Sequence, residues 1–178
     1  MPNHCHNDLY VHGAPDDVAA LLALIGADQT PPRFEFGAVI PYPAEWAALD
    51  NDMEELGYAG FRDKHGPDAK DGFNSGGYEW RIQEWGTKWC AYEVTRRDYL
   101  GVCVTFQTAW SPPKKVVEAL HKLHPKCSLH LEFFERGGAY TGGFSCVAED
   151  DWYEDDKPWA SSARTQEWEG RYHGSRGG

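Results

Sequence analysis

The chain of 178 residues, 41% of them hydrophobic, is long enough for one domain with a substantial core and too short to predict two. Its net charge of −11 argues against non-specific binding to nucleic acid, because such affinity comes mainly from Lys and Arg that neutralise phosphates. Eight Trp and 19 Gly favour strands, aromatic packing and tight turns over a helical bundle.

The five cysteines are odd in number, widely spaced and without CxxC spacing. They are Cys5, Cys90, Cys103, Cys127 and Cys146. This pattern indicates neither a disulfide framework nor a zinc module, and it favours a reducing compartment. No apolar run approaches the roughly 18 residues of a membrane helix, and the N-terminus lacks the basic and apolar regions of a signal peptide. We therefore expect a soluble, cytoplasmic protein.

The first half of the chain alternates between strand and helix patterns. A strand is predicted over residues 6–12, and an amphipathic helix over 15–26, which opens with Pro and ends at Gly. The apolar run 34–40 predicts a second strand, which two prolines then interrupt. Apolar residues at helical spacing over 44–57 predict a helix with an acidic opposite face. The polar, glycine-rich residues 61–77 predict a surface loop.

The second half contains a helix, a hairpin, a helix and another hairpin. These elements are predicted at 78–85, 89–95, 100–106, 111–123, 129–133 and 140–147. Residues 100–106 show the clearest period-two alternation in the chain and pair with 89–95. Ser111, followed by two prolines, predicts a helix start with the Ser side chain as the N-cap. Gly137 and Gly138 predict the turn of the last hairpin.

This order of elements predicts an α+β fold, a ferredoxin-like split βαβ sandwich with a mainly antiparallel sheet and helices on one face. The predicted domain spans residues 1–148 and carries a helical insertion at about 41–77. Residues 149–178 are polar, acidic and aperiodic, and they predict an acidic, aromatic-containing C-terminal arm.

Several strings along the chain resemble those of the Api92-like or YubB-type family of phage and plasmid proteins. The strings are Ile40-Pro41-Tyr42-Pro43, Trp85-Gly86-Thr87-Lys88-Trp89, Thr108-Ala109-Trp110-Ser111-Pro112-Pro113 and Gly142-Gly143-Phe144. The resemblance runs from Met1 to about Val147, and the second and third strings are the most specific. It implies a ferredoxin-like domain and an origin in a mobile element, and it implies no catalysed reaction.

The N-terminal histidines and cysteine invite a metal-site interpretation, because imidazole and thiolate together suit zinc or copper. Residues 4 and 6 nevertheless lie on one face of a strand and Cys5 on the other, so they do not converge. We expect structural roles for His4, Cys5, His6 and His12, and we predict no metal site and no cofactor.

Enzymatic chemistry finds little support in the residue pattern. Lys88, between Gly86 and Trp89, has the chemistry of a catalytic amine or an anion contact, but packing of its stem or ammonium on a Trp face is the favoured interpretation. Cys103 and Cys146 are predicted to be buried thiols. The chain has neither a GxSxG elbow nor a phosphate-binding loop with its Lys. We therefore predict no catalytic residue and no enzyme.

Two acidic stretches are the main candidates for a binding surface. The predicted partner-binding residues are Asp52, Glu54 and Glu55 in the insertion, and Asp150, Asp151, Trp152, Tyr153, Glu154, Asp155 and Asp156 in the arm. Carboxylates at this density steer basic partners, and aromatics among them are typical of interface anchors. A simple solvated face is the alternative.

Our first hypothesis is a non-enzymatic phage or mobile-element protein that binds a basic, nucleic-acid-handling host complex and inhibits it, as an anti-CRISPR or other anti-defence protein does. The acidic surface would occupy a site meant for nucleic acid. One alternative is a single-strand nucleic-acid-binding protein that stacks bases on sheet aromatics, against which the charge argues. Another is a metal-dependent hydrolase, which only the abundance of carboxylates supports.

Overall fold

The computed structural model describes residues 3–69, 76–98, 101–138 and 140–148. Ten elements follow one another in this part of the chain. They are β1 (His4–His12), α1 (Pro15–Ile25), α2 (Phe36–Val39), α3 (Ala44–His65), α4 (Gly77–Glu84), β2 (Tyr92–Arg97), β3 (Val102–Ala109), α5 (Lys114–Leu123), β4 (Ser128–Glu135) and β5 (Tyr140–Cys146).

The five strands form one antiparallel sheet in the order β2-β3-β1-β4-β5. The N-terminal strand β1 is central, with Leu9 opposite Val104 of β3 and Leu131 of β4. Without β5, the order is that of the split βαβ sandwich, in which β3 lies between β1 and β2. The predicted α+β, ferredoxin-like fold is confirmed, and β5 extends it by one edge strand.

One face of the sheet carries the hydrophobic core together with α1, α2 and α5. The strand side chains in this core alternate along the chain, as a pleated sheet requires: Leu9, Val11, Val104, Phe106, Leu129, Leu131 and Phe133. The helices contribute residues at helical spacing, namely Val18, Leu21, Leu22, Ile25, Val116, Val117 and Leu120. The predicted placement of the helices on one face agrees with this core.

The second face of the sheet is polar and nevertheless buried at its centre. Asp8 is 1% exposed, accepts a 2.6 Å hydrogen bond from Thr105 Oγ1 and lies 3.6 Å from an Arg97 guanidinium nitrogen. His130 pairs with Glu132 at 3.5 Å. A buried carboxylate is costly unless it has such partners, so these contacts offset the burial of Asp8 and Glu132.

The predicted strand at 34–40 is wrong, because residues 36–39 form the single helical turn α2. Phe34 and Phe36 both point into the core, where each ring lies 5.0 Å from a neighbouring phenylalanine ring, and Glu35 points outward. This alternation imitates a strand. The backbone instead turns, and the Ile40 N–H donates to the Phe36 carbonyl at 2.8 Å.

The predicted loop at 61–77 is wrong at its start, because α3 continues past Gly57 to His65. The chain kinks at Gly57, where φ is 66° and ψ is 173°, and helical hydrogen bonding then resumes. Phe61 is 1% exposed and anchors the second half. Residues 70–75 of the predicted loop lie outside the described residues.

The predicted N-cap role of Ser111 is also wrong. Helix α5 begins at Lys114, and no side chain caps it. The Ser111 hydroxyl instead donates to the Gly86 carbonyl at 2.5 Å. The Ser111 hydroxyl thus makes a tertiary hydrogen bond and does not cap α5.

Candidate functional site

The two strings that carry the family resemblance meet at one end of the sheet. Thr87 is 1% exposed, and its hydroxyl donates to the Ala109 carbonyl at 2.8 Å. Gly86 adopts φ of 81°, a conformation that favours glycine, and its carbonyl receives the Ser111 hydroxyl. The segment between α4 and β2 is therefore fixed to the end of β3.

Strand β1 completes this junction through a buried amide. Asn7 is fully buried, and its side-chain nitrogen donates to the Cys5 carbonyl at 2.8 Å and to Thr108 Oγ1 at 3.0 Å. Thr108 in turn donates to the Ser111 carbonyl at 2.8 Å. Because the buried side chains of Asn7, Thr87 and Thr108 each have a hydrogen-bond partner, the network specifies one geometry for the junction.

Lys88 lies between two indole rings in what we call the Lys-Trp cluster, formed by Lys88, Trp89 and Trp110. Its ammonium lies 4.1 Å from the Trp89 ring centroid and 4.2 Å from that of Trp110, and the residue is only 9% exposed. These distances are those of cation–π contacts. The structure therefore agrees with an ammonium packed on Trp faces.

Trp110 has an unusual backbone and an accessible ring. Its φ is 68°, which is strained for a bulky residue, and the residue is 41% exposed. Its N–H donates to the Asn3 carbonyl at 2.9 Å, and its own carbonyl accepts a hydrogen bond from the Tyr140 hydroxyl. Neighbouring strands thus hold an indole in a position where much of it stays in solvent.

A groove of about 530 Å³ adjoins the Lys-Trp cluster; we call it the α5 groove. Its lining residues are Gly86, Ser111, Pro112, Lys114, Lys115, Phe133, Tyr140 and Thr141. The Lys114 ammonium lies 4.9 Å from the Phe133 ring centroid, and that of Lys115 donates to the Gln83 carbonyl. The groove therefore combines two ammonium groups, two hydroxyls and aromatic rings.

Burial controls the ionisation of the groups near this junction. It raises the pKa of the Cys5 thiol to about 12 and that of Tyr92 to about 12, and the nearby Glu93 charge adds to the effect on Tyr92. Burial also raises the pKa of Tyr140 well above its usual range. These groups keep their protons at neutral pH, so the tyrosines act as hydrogen-bond donors and not as bases.

The cysteines show no nucleophilic character in the described residues. All five are free thiols. Burial raises the pKa of each of them, most strongly for Cys5. A thiol with a raised pKa carries little thiolate, which is the reactive form. Cys103 is buried, as predicted, and Cys146 is half-buried.

The N-terminal histidines do not converge with Cys5. Cys5 lies in the core, whereas His4 is exposed and shares a 2.7 Å hydrogen bond with the Tyr92 hydroxyl. Burial, followed by the nearby His4, lowers the pKa of His6. Within residues 3–69, 76–98, 101–138 and 140–148, no three His, Cys, Asp or Glu side chains are grouped to hold a metal ion.

The acidic helix α3 uses part of its charge internally. Asp50 pairs with Arg81 at 2.6 Å and accepts the Tyr42 hydroxyl at 2.9 Å. Asp52 binds Lys64 at 2.7 Å and His65 at 2.6 Å. Hydrogen bonds from these two residues lower the pKa of Asp52. Asp52 therefore braces the two halves of α3 across the kink.

The remaining predicted residues of α3 directly precede an exposed apolar pair. Glu54 and Glu55 are exposed, and next to them Leu56 is 44% and Tyr58 64% exposed. The Tyr58 hydroxyl accepts a 2.5 Å hydrogen bond from Arg62. We call Glu54, Glu55, Leu56 and Tyr58 the kink patch. The predicted residues of the arm, 150–156, lie outside the described residues.

Charge is unevenly distributed along the chain. Residues 44–69 contain seven Asp and Glu against two Lys and Arg. Residues 84–148 reverse the balance, with eight Lys and Arg against six Asp and Glu. The region around α3 is therefore acidic, whereas the region from β2 to β5 is mildly basic. The net charge of the whole chain does not show this difference.

Sequence reasoning found Glu54 and Glu55 of the kink patch but missed its apolar pair, Leu56 and Tyr58, and it missed the α5 groove. Gly57, between Leu56 and Tyr58, was the available clue to the first, because a glycine inside a helical pattern marks a kink or an end. Lys114 and Lys115 were the clue to the second. Lysines in the first turn of a helix oppose the helix dipole, and such a local conflict is typical of functional positions.

Comparison with known proteins places the chain in a family. A family model described as the ferredoxin-like domain in Api92-like protein matches residues 84–173. The match starts later than the resemblance noted in the sequence and extends beyond Val147, into residues that were predicted to lie outside the family. No curated protein and no solved structure shows significant similarity to the chain. None of the helices in the described part combines the length and apolar character that crossing a bilayer requires.

The matched interval contains β2, β3, α5, β4 and β5, together with the Lys-Trp cluster and the α5 groove. The observed sheet order is that of a ferredoxin-like fold, to which β1 adds the central strand from outside the interval. The chain therefore belongs to the family of ferredoxin-like domains in Api92-like proteins.

Proposed function

We propose that this protein is a non-enzymatic interaction protein of a phage or related mobile element, which acts in the host cytoplasm. It binds a basic, nucleic-acid-handling host complex, such as a CRISPR effector or another defence complex, and inhibits it by occupying a nucleic-acid site. The observation that carries the proposal is the kink patch, an exposed aliphatic and aromatic pair that follows two exposed carboxylates on the acidic helix α3.

The position of α3 supports a role in contact with a partner. Of its 22 residues, Phe61 alone is buried, so the helix contributes little to the core. A helix with such a small buried face is not explained by the stability of the domain. Its exposed Tyr58 and Leu56 have the character of interface anchors, which bury apolar area at the centre of a contact.

The surrounding charge supports a basic partner. Asp50 and Asp52 are engaged within the chain, whereas Glu45, Glu54, Glu55 and Asp63 are exposed. Exposed carboxylates around an apolar anchor accelerate encounter with a basic surface and repel nucleic acid from it. The acidic arm at 149–156 would add to the same field.

The function is tested by capturing host proteins on the tagged full chain and then assaying the purified complex for nucleic-acid binding. We expect the wild-type chain to retain a basic nucleic-acid-handling complex and to compete with its nucleic acid. Retention should weaken as salt rises from about 0.1 M to about 1 M, because the Debye length falls from about 10 Å to about 3 Å. Capture of no such complex would refute the proposal.

Matched variants locate the surface. Tyr58→Ala and Leu56→Ala should each lower affinity by about tenfold, since truncation of an anchor costs more than about 1 kcal/mol. Leu123→Ala is the control, because Leu123 is 54% exposed on α5. The pair Glu54→Gln and Glu55→Gln should mainly slow association, whereas Glu118→Gln should not. Full inhibition by the Tyr58 and Leu56 variants would exclude the kink patch.

The acidic arm needs its own variant, because its contribution is a separate prediction. Neutralisation of Asp150, Asp151, Asp155 and Asp156 to Asn should reduce the salt dependence of binding if the arm contacts the partner. An unchanged salt dependence would assign recognition to α3 alone.

A further inference from the structure

We propose that the α5 groove binds a nucleoside phosphate, either a free nucleotide or a nucleotide within a single strand. Lys114 and Lys115 would contact the phosphate, and the base would contact the exposed rings of Tyr140, which lines the groove, and of Trp110, which directly precedes the lining residue Ser111. This inference is independent of the proposed function, because it concerns a different surface with the opposite charge.

The lysines provide the first observation. Lys114 and Lys115 are exposed in the first turn of α5, which contains no acidic residue. The amino end of a helix carries a partial positive charge, so two ammonium groups there are mutually unfavourable until an anion binds. Among the described residues, no carboxylate lies within ion-pair distance of either ammonium. The Lys115 ammonium donates to the Gln83 carbonyl and that of Lys114 lies over the Phe133 ring, but these partners carry no net charge, so an anion would supply the counter-charge that both lysines lack.

The aromatic rings provide the second observation. Trp110 is 41% and Tyr140 37% exposed, and the Tyr140 hydroxyl donates to the Trp110 carbonyl, which ties the two residues together. Tyr140 also lies edge-to-face with Phe133 at 6.1 Å. Exposed aromatic rings beside cationic side chains are the combination with which proteins bind and stack the bases of single strands.

The backbone of Trp110 provides the third observation. A φ of 68° is strained for a bulky residue, and hydrogen bonds with Asn3 and Tyr140 maintain this backbone conformation. The Lys88 ammonium additionally covers the indole at 4.2 Å. The strained backbone holds the indole at the protein surface, where the ring contributes less to the core than a buried Trp would. A contact with a ligand explains that position.

The dimensions of the groove suit a small ligand. Its volume of about 530 Å³ falls within the range of about 300–1,000 Å³ that is usual for small-molecule sites. The Ser111 and Thr141 hydroxyls also line the groove, but they donate to the Gly86 and Phe133 carbonyls, so the two lysines are the donors that a phosphate would meet.

A nucleoside phosphate fits this groove better than an acidic peptide does. Both ligands supply negative charge, but only the nucleotide also supplies a planar ring for Trp110 and Tyr140. Three other aromatic residues of the sheet are unsuitable for stacking, because Phe106 and Phe133 belong to the core and Phe134 is 2% exposed on the second face. The net charge of −11 opposes long polyanions, so we expect recognition of one or a few nucleotides.

The test measures fluorescence anisotropy of a labelled thymidine oligonucleotide on the full chain at low salt, with competition by thymidine monophosphate, inorganic phosphate and a polyglutamate peptide. We expect the oligonucleotide to bind with a slope of log affinity against log salt of about −1.4, because two lysines each contribute about −0.7 on a single strand. Competition by the mononucleotide would identify a free nucleotide as sufficient, and its failure would identify a strand as the ligand.

Charge-matched variants complete the test. Lys114→Gln with Lys115→Gln should abolish the salt slope and weaken binding by about tenfold or more. Lys122→Gln with Lys126→Gln removes the same charge at the other end of α5 and should leave binding within about twofold. Trp110→Leu should weaken binding while circular dichroism shows an intact fold. Equal losses in both lysine pairs, no binding of any nucleotide, or equal competition by phosphate or polyglutamate would overturn the inference.

Discussion

Replacement of Lys88 by Met tests whether the Lys-Trp cluster stabilises the junction between the two family strings. The substitution keeps an unbranched side chain between the indoles and removes the ammonium. Two cation–π contacts at 4.1 Å and 4.2 Å are lost. At about 0.5–2 kcal/mol each, their sum is about 1–4 kcal/mol.

Two effects reduce this cost. Contacts between the methionine sulfur and the rings restore about 0.3–1.5 kcal/mol. The wild-type Lys88 is only 9% exposed, so the variant also avoids the free-energy cost of burying its charge. We therefore expect a net loss of about 1–2 kcal/mol in the free energy of unfolding. For a chain of this size the melting temperature should fall by roughly 2–8 °C.

Urea denaturation followed by circular dichroism provides the assay, because indole fluorescence itself changes with the substitution. A double-mutant cycle with Trp110→Leu should give a coupling energy of about 1 kcal/mol. Lys88→Arg is the conservative control, since a guanidinium also stacks on indole, and it should retain most of the stability. A Lys88→Met protein as stable as the wild type, with no coupling to Trp110, would refute the reasoning.

Three further predictions concern the buried groups around the junction. Thr87→Val should cost about 1–2 kcal/mol in urea denaturation, because it leaves the buried Ala109 carbonyl without its donor, whereas Thr87→Ser should cost less; equal effects would contradict this role of the hydroxyl. Because burial lowers the pKa of His6, the unfolded chain binds the proton first as pH falls, so stability should decline below about pH 6.5; His6→Asn should flatten the decline, and an unchanged curve would speak against burial of the neutral form. Because the pKa of Cys5 is about 12 instead of 9.0, its contribution to stability is present below pH 9 and is lost as pH rises towards 12; Cys5→Ala should remove this alkaline loss, which a matched pH series in urea would detect.

Periodicity predicted the elements that have one clear buried face. Val104 and Phe106 alternate in β3 because one side of the strand is core, and the stripe of α5 repeats at helical spacing for the same reason. The error at Phe34 and Phe36 has a related cause, since two core-facing rings two residues apart look like a strand whatever the backbone between them does. A local hydrophobic pattern shows which side chains are buried. At residues 34–40 it did not determine whether the backbone forms a strand or a helical turn.

The candidate sites depended on contacts that local patterns do not contain. The sequence predicted that Lys88 packs on a Trp face, but its contacts with both Trp89 and Trp110 join the segment before β2 to the end of β3. Likewise, the α5 groove needs Tyr140 of the last strand beside the start of α5. Residues so far apart in the sequence become neighbours only through the pairing of strands. The order of elements suggests which strands pair, but it does not specify the register that decides which residues meet.

The central position of β1 affects how the molecule is made. This strand is synthesised first, yet both of its neighbours, β3 and β4, come from beyond residue 100. During synthesis β1 therefore remains unpaired and accessible to chaperones until β3 and β4 have left the ribosome. Such non-local closure predicts slow folding for a domain of this size. A fragment restricted to residues 84–173 would contain the strand pairs β2–β3 and β4–β5 but would lack β1, which joins them. We expect that a β1 peptide added in trans could pair with β3 and β4 and complete the sheet.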